Sequence, residues 1–544
     1  MVSKNKKTDL MVSVIVTAVV SVLALTGLYF HEPWFDEAQA YLIARDSSWH
    51  DVLMHWTHYE GHPPMWHILL KCAISLGLSF EAAIKSVNFI FVEAVLLLIQ
   101  FRSPFSRITK TVIPLSFFLL YQYSVISRPY MMLTFSCLLA AMCYKNRHEK
   151  PLRYCLALIF MCTVHSYGIA FAGGIVVSDM IGEAIRERSV KKMCTGIISN
   201  KKLLLSYIIL LAAAMAMIAD IMPHSDTFAA KQTVAGSNHS LPVCYLFSWL
   251  LIPSENLFTS FSSELLYMRE EVNPIGEVIA AGAISLLIWA VLFVICRKRR
   301  MVAELFIPYS FIAVLTALHI SPHHFGIFFM YMLFIVWTAT DKEPITISEF
   351  TQLGEKAGLS VSFTKKIIIG AAAAFSVINI YWDALSYYRE IKLPYDPAPA
   401  LADWIKDNKL EDKKLLTTWS ESDIFIVNAS SIVVNAYLGG NIYYNLNYGL
   451  SFITHIVIDD DERAETLNKW KQEGKPYLMI CDTPNETAFI CKELGIGDEY
   501  SATAYVGKGR RIFKDKCDIY NIYVMCSKDT YKEIYGKEYA VSTY

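Results

Sequence analysis

The chain reads as a polytopic α-helical membrane protein of about eleven crossings that ends in an extracytoplasmic α/β domain. Three observations predict this. Of its 544 residues, 54% are hydrophobic and only 18% charged, against roughly 25% charged in soluble domains. Apolar runs near the roughly 20 residues that a bilayer demands recur through residues 1–384. From residue 385 the composition turns polar and mixed. A net charge of −1 supplies no global field, so nucleic acid is not an expected partner.

The N-terminus places Lys4, Lys6 and Lys7 before an apolar run that continues to Phe30. The layout is that of a signal peptide, but no small-x-small cleavage site stands out, and the run is long enough to span. It is read as an uncleaved first transmembrane helix. Further runs lie near 84–101, 111–127, 129–144, 152–165, 167–183, 203–222, 275–296, 302–319, 323–340 and 366–383. Every loop then assigned to the inside is basic, among them Arg102 to Lys110, Lys145 to Arg153, Arg186 to Lys202 and Arg297 to Arg300, as the positive-inside rule requires. Merging 111–127 with 129–144, or 152–165 with 167–183, would move later basic loops outside. Both pairs are therefore expected as hairpins. The expected topology is multi-pass in the cell membrane, with a cytoplasmic N-terminus and an extracytoplasmic C-terminal domain.

Two outer loops are long. One, 31–83, comes directly after the first helix. The other, 223–274, contains Pro223, Pro253 and Pro274 and a helix-like patch over Ser263–Arg269, and is expected to lie along the membrane face. The expected domains are 1–384 (transmembrane) and 385–544 (soluble), joined by a linker marked by Pro394, Pro397 and Pro399. In the tail, Ala400–Asn408, Asp423–Leu438 and Glu462–Gln472 read as helices. Leu415–Trp419, Asn441–Tyr444, Tyr477–Cys481 and Asn521–Met525 read as strands. Most of the 12 cysteines fall in apolar runs, where Cys acts as a small hydrophobe. Cys481, Cys491, Cys517 and Cys526 lie in the tail, where disulfides are an option whose pairing sequence does not give.

The chemistry-bearing residues cluster on the predicted outer side. Asp36 and Glu37 come shortly after Pro33 and open a short helix expected over Asp36–Arg45. Adjacent helical residues diverge by about 100°, so the two carboxylates have separate jobs. One faces a reacting group; the other meets a structural partner or a divalent metal ion. A helix N-terminus favours both simply as acids, but Trp34, Phe35 and Tyr41 hold them near the membrane, where an idle charge is expensive. His62 precedes Pro63-Pro64, which fix its backbone. His50, His55, His58, His62 and His67 share this loop, at spacings that match no standard metal site. Arg128, in Ser127-Arg128-Pro129-Tyr130, sits at an outer turn, where its planar fork suits a phosphate. His165 and Tyr167 sit at the next outer hairpin, and His323-His324 at another. Together they describe a site for an anionic headgroup. There is no Walker motif, no GxGxxG and no internal repeat.

The ordered set of an uncleaved first helix, Asp36-Glu37-Ala38, His62-Pro63-Pro64-Met65-Trp66-His67, Ser127-Arg128-Pro129-Tyr130 and His165-Ser166-Tyr167-Gly168 resembles the GT-C superfamily of membrane glycosyltransferases. The nearest branch is the bacterial relatives of protein O-mannosyltransferases and aminoarabinose transferases. The resemblance covers residues 10–340; the tail resembles their extracytoplasmic domains only in layout. It implies a GT-C-like fold and a polyprenyl-phosphate-linked sugar donor. A glycan, lipid or protein acceptor would attack the anomeric carbon with inversion. It also implies Asp36 as catalytic carboxylate, with Glu37 in support or assisting a metal. The lipid phosphate would fall to His62, Arg128, Tyr130, His165, Tyr167 and His324. His62 departs from the Lys that the aminoarabinose branch carries before its Pro-Pro, and His323-His324 stand where relatives often carry Arg. Two other function classes fit a polytopic chain. A transporter or flippase would place ionisable residues at helix midpoints, which are sparse here. A non-catalytic envelope scaffold would keep the fold without the chemistry.

Overall fold

The computed structural model describes residues 2–228, 240–261, 275–421, 423–446, 449–497 and 499–540. Much of the outer loop 223–274, including the patch Ser263–Arg269, lies outside the described residues.

The chain begins with α1 (Val2–Phe30), then α2 (Phe35–Asp46), α3 (Trp49–Met54), α4 (Thr57–Glu60), α5 (Met65–Ser75) and α6 (Phe80–Leu97). After these come α7 (Arg107–Val112), α8 (Tyr130–Tyr144), α9 (Pro151–Val164), α10 (Ser166–Glu187), α11 (Val190–Ser199) and α12 (Lys201–Ile221). The membrane part continues with α13 (Leu241–Leu250), α14 (Ile252–Leu257), α15 (Ile275–Lys298), α16 (Val302–Leu318), α17 (Gly326–Lys342), α18 (Ile347–Lys356) and α19 (Val361–Lys392). Among the described residues, 7 helices are long and apolar enough to cross a membrane. They begin at Lys7, Phe80, Ser166, Lys201, Ile275, Pro322 and Val361. Shorter apolar helices, α8, α9 and α16 among them, complete the bundle. The protein is a multi-pass membrane protein.

One expected crossing is not a helix. The run 111–127 breaks into the end of α7, a 3-10 turn (Ile113–Leu115) and a single π turn (Phe118–Gln122). Pro114 cannot donate to a helical ladder, and Ser116 turns to extended backbone. Such backbone is tolerated at membrane depth only inside protein. Phe117 to Ser127 are indeed buried throughout. Hydropathy alone cannot tell this packed irregular segment from a lipid-facing helix.

Two ion pairs tie the helices of the membrane part together. Arg147 grips Asp179 through Nε at 2.7 and 2.9 Å. The fully buried Arg299 guanidinium reaches both Glu349 oxygens, at 3.0 and 3.1 Å, besides several backbone carbonyls.

Helix α19 runs to Lys392, past the expected boundary at 384, before the Pro394–Pro399 linker. The tail holds α20 (Ala398–Asp407), α21 (Ala429–Leu438), α22 (Asp460–Gln472), α23 (Glu486–Leu494) and α24 (Lys528–Tyr535). Its strands are β1 (Leu415–Thr417), β2 (Trp419–Ser420), β3 (Asp423–Val427), β4 (Leu478–Cys481), β5 (Ala502–Phe513) and β6 (Lys516–Cys526). The main sheet has the order β1-β4-β6-β5, with β1 parallel to β4 and the rest antiparallel. The α/β layout is as expected, with three corrections. Asp423–Leu438 splits into a strand and a helix, because Ile424 to Val427 suit a strand and the Asn428 side chain caps the N-terminus of α21. Asn441–Tyr444 contributes only a single bridge, at Tyr443. Among the described residues no disulfide forms, in the tail or elsewhere.

The hairpin β5–β6 plugs into the membrane part. Its tip residue Lys514 takes the left-handed conformation (φ 55) and is fully buried. Its ammonium donates to the carbonyls of Glu255 and of Thr259, the latter at 2.6 Å. Phe513 packs against Phe117 and Phe325, with ring centres 5.5 and 6.0 Å apart.

Candidate active site

Helix α2 starts where Trp34 leaves extended backbone (φ −98, ψ −176). The first turn then carries the two acids in different directions, as a helical rotation of about 100° per residue dictates. Glu37 turns inward and is fully buried. Its Oε2 accepts from the Trp34 N–H at 3.2 Å and from His31 Nε2 at 2.9 Å. Its Oε1 accepts from the Ser127 N–H at 2.6 Å. Both carboxylate oxygens are thereby engaged by the protein. Among the described residues no group of three or more His, Cys, Asp or Glu side chains is placed to hold a metal ion, and the five histidines between His50 and His67 do not converge on one.

Asp36 turns outward, with 23% of its side chain exposed. It pairs with Arg128, whose Nη1 lies against Asp36 Oδ2. Arg128 stands on the turn at the end of the irregular buried segment. Burial opposes its charge, but Asp36, Tyr130 and Glu60 outweigh that and raise its pKa. The turn is fixed from behind by Glu37, through Ser127.

Toward a lipid phosphate the histidines of the cluster offer neutral hydrogen-bonding groups, and the cation is Arg128. His62 comes after Gly61, which closes α4 in the left-handed conformation (φ 64). Burial first, and then the Arg128 charge, push the His62 pKa down to about 4. His62 is therefore neutral, and its Nδ1–H donates 2.6 Å to the Glu60 carbonyl. That leaves Nε2 with a lone pair, buried and without a hydrogen-bond partner among the described residues. His165 joins α9 to α10. Its Nδ1 accepts from the Tyr167 N–H at 3.2 Å, and burial holds its pKa well below the usual value. The proton therefore sits on Nε2, also buried and without a partner among the described residues. His324, in the turn Pro322–Phe325, repeats the device: its Nδ1 accepts from the Ser321 N–H at 2.9 Å, which puts its proton on Nε2.

Ring contacts gather these residues into one cluster. His62 and His165 meet edge to face at 4.5 Å. Tyr130 lies 5.2 Å from His165 and 5.9 Å from His324, and Tyr167 lies 5.1 Å from His324. Seven of the eight expected site residues thus meet around Asp36 and the turn bearing Arg128. The eighth, Glu37, stands behind them.

Sequence reading missed several partners. Tyr123 stacks on Tyr130 at 5.1 Å and donates to the His323 carbonyl at 2.7 Å. His323 is 5.3 Å from Tyr130, and His319 is 5.6 Å from His324. The paired His323-His324 dipeptide was a usable signal; Tyr123, inside an apolar run, gave none. The tail also braces the site. Gln39 both donates to the Ile453 carbonyl, at 2.7 Å, and accepts from the Ile453 N–H, at 3.1 Å. Arg45 donates to Asn435 O and Ser451 Oγ, and the Arg511 guanidinium lies 4.3 Å over the Trp34 ring.

No family model matches the chain, and no curated protein matches it in sequence. Among solved structures, the chain is similar to the crystal structure of ArnT from Cupriavidus metallidurans in the apo state. There the identity is 13%, the match covers 94% of this chain and 97% of that one, and the TM-score is 0.49. It is also similar to the same protein bound to undecaprenyl phosphate, with 14% identity, the same shares of both chains, and a TM-score of 0.44.

Proposed function

We propose that this chain is an integral-membrane glycosyltransferase of GT-C type. It moves a sugar from a polyprenyl-phosphate donor to a glycan, lipid or protein acceptor on the outer side of the cell membrane. The observation that carries this reading is the pair Asp36–Arg128 set against buried imidazole N–H groups. One partly exposed carboxylate, one half-buried guanidinium and two neutral donors, His165 and His324, meet in a single cluster.

The division of labour rests on the groups present. A guanidinium has five donors, so Arg128 holds Asp36 and has further N–H groups for phosphate oxygens. The Nε2–H groups of His165 and His324 add neutral donors, and Tyr130 and Tyr167 wall the same space. The acceptor hydroxyl gives its proton to Asp36 as its oxygen bonds to the anomeric carbon. The bond from that carbon to the phosphate oxygen breaks, and its electron pair leaves with the phosphate. The leaving group is already stabilised, so no general acid is needed. Attack opposite the leaving group inverts the anomeric centre. Glu37 acts from behind, as a positioning residue rather than a metal ligand. The two-part organisation belongs to the same reading, with residues 1–384 carrying the chemistry, the tail 385–544 outside bracing α2, and the N-terminus in the cytoplasm.

The test is mass spectrometry of envelope glycans and glycolipids from cells with and without the chain. It is repeated with cells complemented by Asp36→Asn. A glycan species that disappears without the chain, returns with the native sequence and stays absent with Asp36→Asn is the expected result. An unchanged glycan profile overturns the reading in favour of a transporter or scaffold.

A further inference from the structure

His31 is 1% exposed and lies one residue beyond the end of α1. Both of its ring nitrogens face carboxylates. Nε2 is 2.9 Å from Glu37 Oε2, and Nδ1 is 2.9 Å from Glu390 Oε1. Glu390 belongs to the last turns of α19, at the opposite end of the membrane part in sequence, and also accepts from Tyr121 OH at 2.8 Å. The ring edge rests on Tyr395, with centres 4.6 Å apart. Beyond Glu37 the contacts continue to the Ser127 N–H and then, through the next residue, to the Arg128–Asp36 pair. Four separate parts of the chain are thus joined in single file: the end of α19, the end of α1, the start of α2 and the turn carrying Arg128.

We propose that His31, clamped between Glu37 and Glu390, is a positioning residue that fixes the Ser127–Arg128 turn against Asp36. The residue type suits the duty. An imidazolium presents two N–H donors at fixed, divergent positions of one rigid ring, so a single side chain ties two carboxylates from different helices. Lys would offer a flexible point charge instead. Burial alone would lower the His31 pKa, but Glu37 and Glu390 together raise it to about 10. The ring is therefore doubly protonated, as donation to both sides requires. His31 has no access to substrate, so it acts only through Glu37. Its positioning duty toward Ser127 stands on geometry. Its consequence for lipid phosphate rests on the function proposed above.

The deciding experiment uses the full chain in lipid nanodiscs and the double variant His31→Gln/Glu390→Gln. That variant removes one cation and one anion together, so the net charge of the cluster is kept and insertion is preserved. Hydrogen exchange is followed in peptides covering residues 124–131. The segment 336–349, around the Arg299–Glu349 pair, serves as an internal control. Exchange at Ser127 about tenfold faster than in the native chain, with the control segment unchanged, is the expected result for a local loss of protection. Native-like exchange at Ser127 overturns the proposal and leaves His31 as a mere charge balance for the two carboxylates. The affinity of undecaprenyl phosphate for the same samples is read separately. Weakening that accompanies the faster exchange supports the proposal. If the native chain binds no undecaprenyl phosphate, the phosphate reading of Arg128 falls, and exchange at Ser127 still decides the role of His31.

Discussion

Arg128 lies on Asp36, while its neighbour Ser127 donates to Glu37. Two adjacent acids of one helix thus hold two adjacent residues of one turn, one by charge and one through the backbone. This crossed pairing gives the acids different fates. Asp36 stays at the edge of the open cluster, and Glu37 becomes part of the frame.

Replacing Asp36 with Asn removes the proton acceptor and half of the ion pair but keeps the side-chain shape. Transfer is expected to fall by about 10²–10⁴-fold, the usual worth of a positioned general base. Membrane insertion and yield should be unchanged. Transfer assays on purified protein check this, and near-native transfer by Asp36→Asn would sink the role.

Arg128→Ala leaves Asp36 without its partner and removes the guanidinium from the cluster. Breaking a buried pair from one side costs about 3–5 kcal/mol, discounted here because Asp36 is 23% exposed. The functional effect should be larger than the loss of fold: a weakened apparent affinity for lipid-linked donor, with Arg128→Lys restoring little because a point charge lacks the fork. Donor titrations on both variants decide it, and an unchanged affinity removes Arg128 from the donor site.

His31 sets an alkaline limit. Its folded pKa, about 10, lies above the ordinary value of 6.5. The stability it contributes is therefore fully present below about pH 6.5 and is lost as pH rises through about 10. The groups facing it are Glu37, Glu390 and, at the ring edge, Tyr395; Tyr121 shares Glu390. Thermal unfolding in detergent between about pH 7 and pH 10 should show a falling midpoint in the native chain. A shallower fall is expected in His31→Gln/Glu390→Gln. Parallel curves would contradict the charged state of the ring.

His62 behaves in the opposite sense. With its pKa pushed down to about 4, it stays neutral throughout the mildly acid range, and its Nε2 lone pair stays available. The rate of transfer should therefore show no limb near about pH 6–7 that vanishes in His62→Gln. A limb there in the native enzyme, lost in that variant, would contradict the buried neutral ring.

Gly168 closes the hairpin that orients His165. A side-chain carbon at this position would run into the Met161 carbonyl, a backbone atom that cannot rotate away. Gly168→Ala should force α10 away from α9 and cost about 1–3 kcal/mol, as overpacked sites do. Yield, melting temperature and transfer are expected to fall together, and an unchanged melting temperature would show that the hairpin can give way.

The amino-acid sequence by itself determined the membrane class, most helices and the polar or charged residues that meet in the candidate site. These come from hydropathy, from the basic connecting loops and from local turn chemistry, all of which are short-range. Asp36, His62, Arg128, Tyr130, His165, Tyr167 and His324 could be named because each stands out in an apolar or turn context. Tertiary structure alone decided the rest. The segment 111–127 is apolar enough to cross but is an irregular run buried in protein. The long hairpin β5–β6, whose tip Lys514 is buried in the membrane part, had no local signature strong enough to reveal it. Glu37 and Asp36 look equivalent in sequence, and only the packing of Ser127 and His31 turns one of them inward. The charge on a histidine is likewise not a property of its neighbours in sequence. His31 gains two carboxylates from distant helices and keeps its proton, whereas His62, buried near Arg128, gives its proton up.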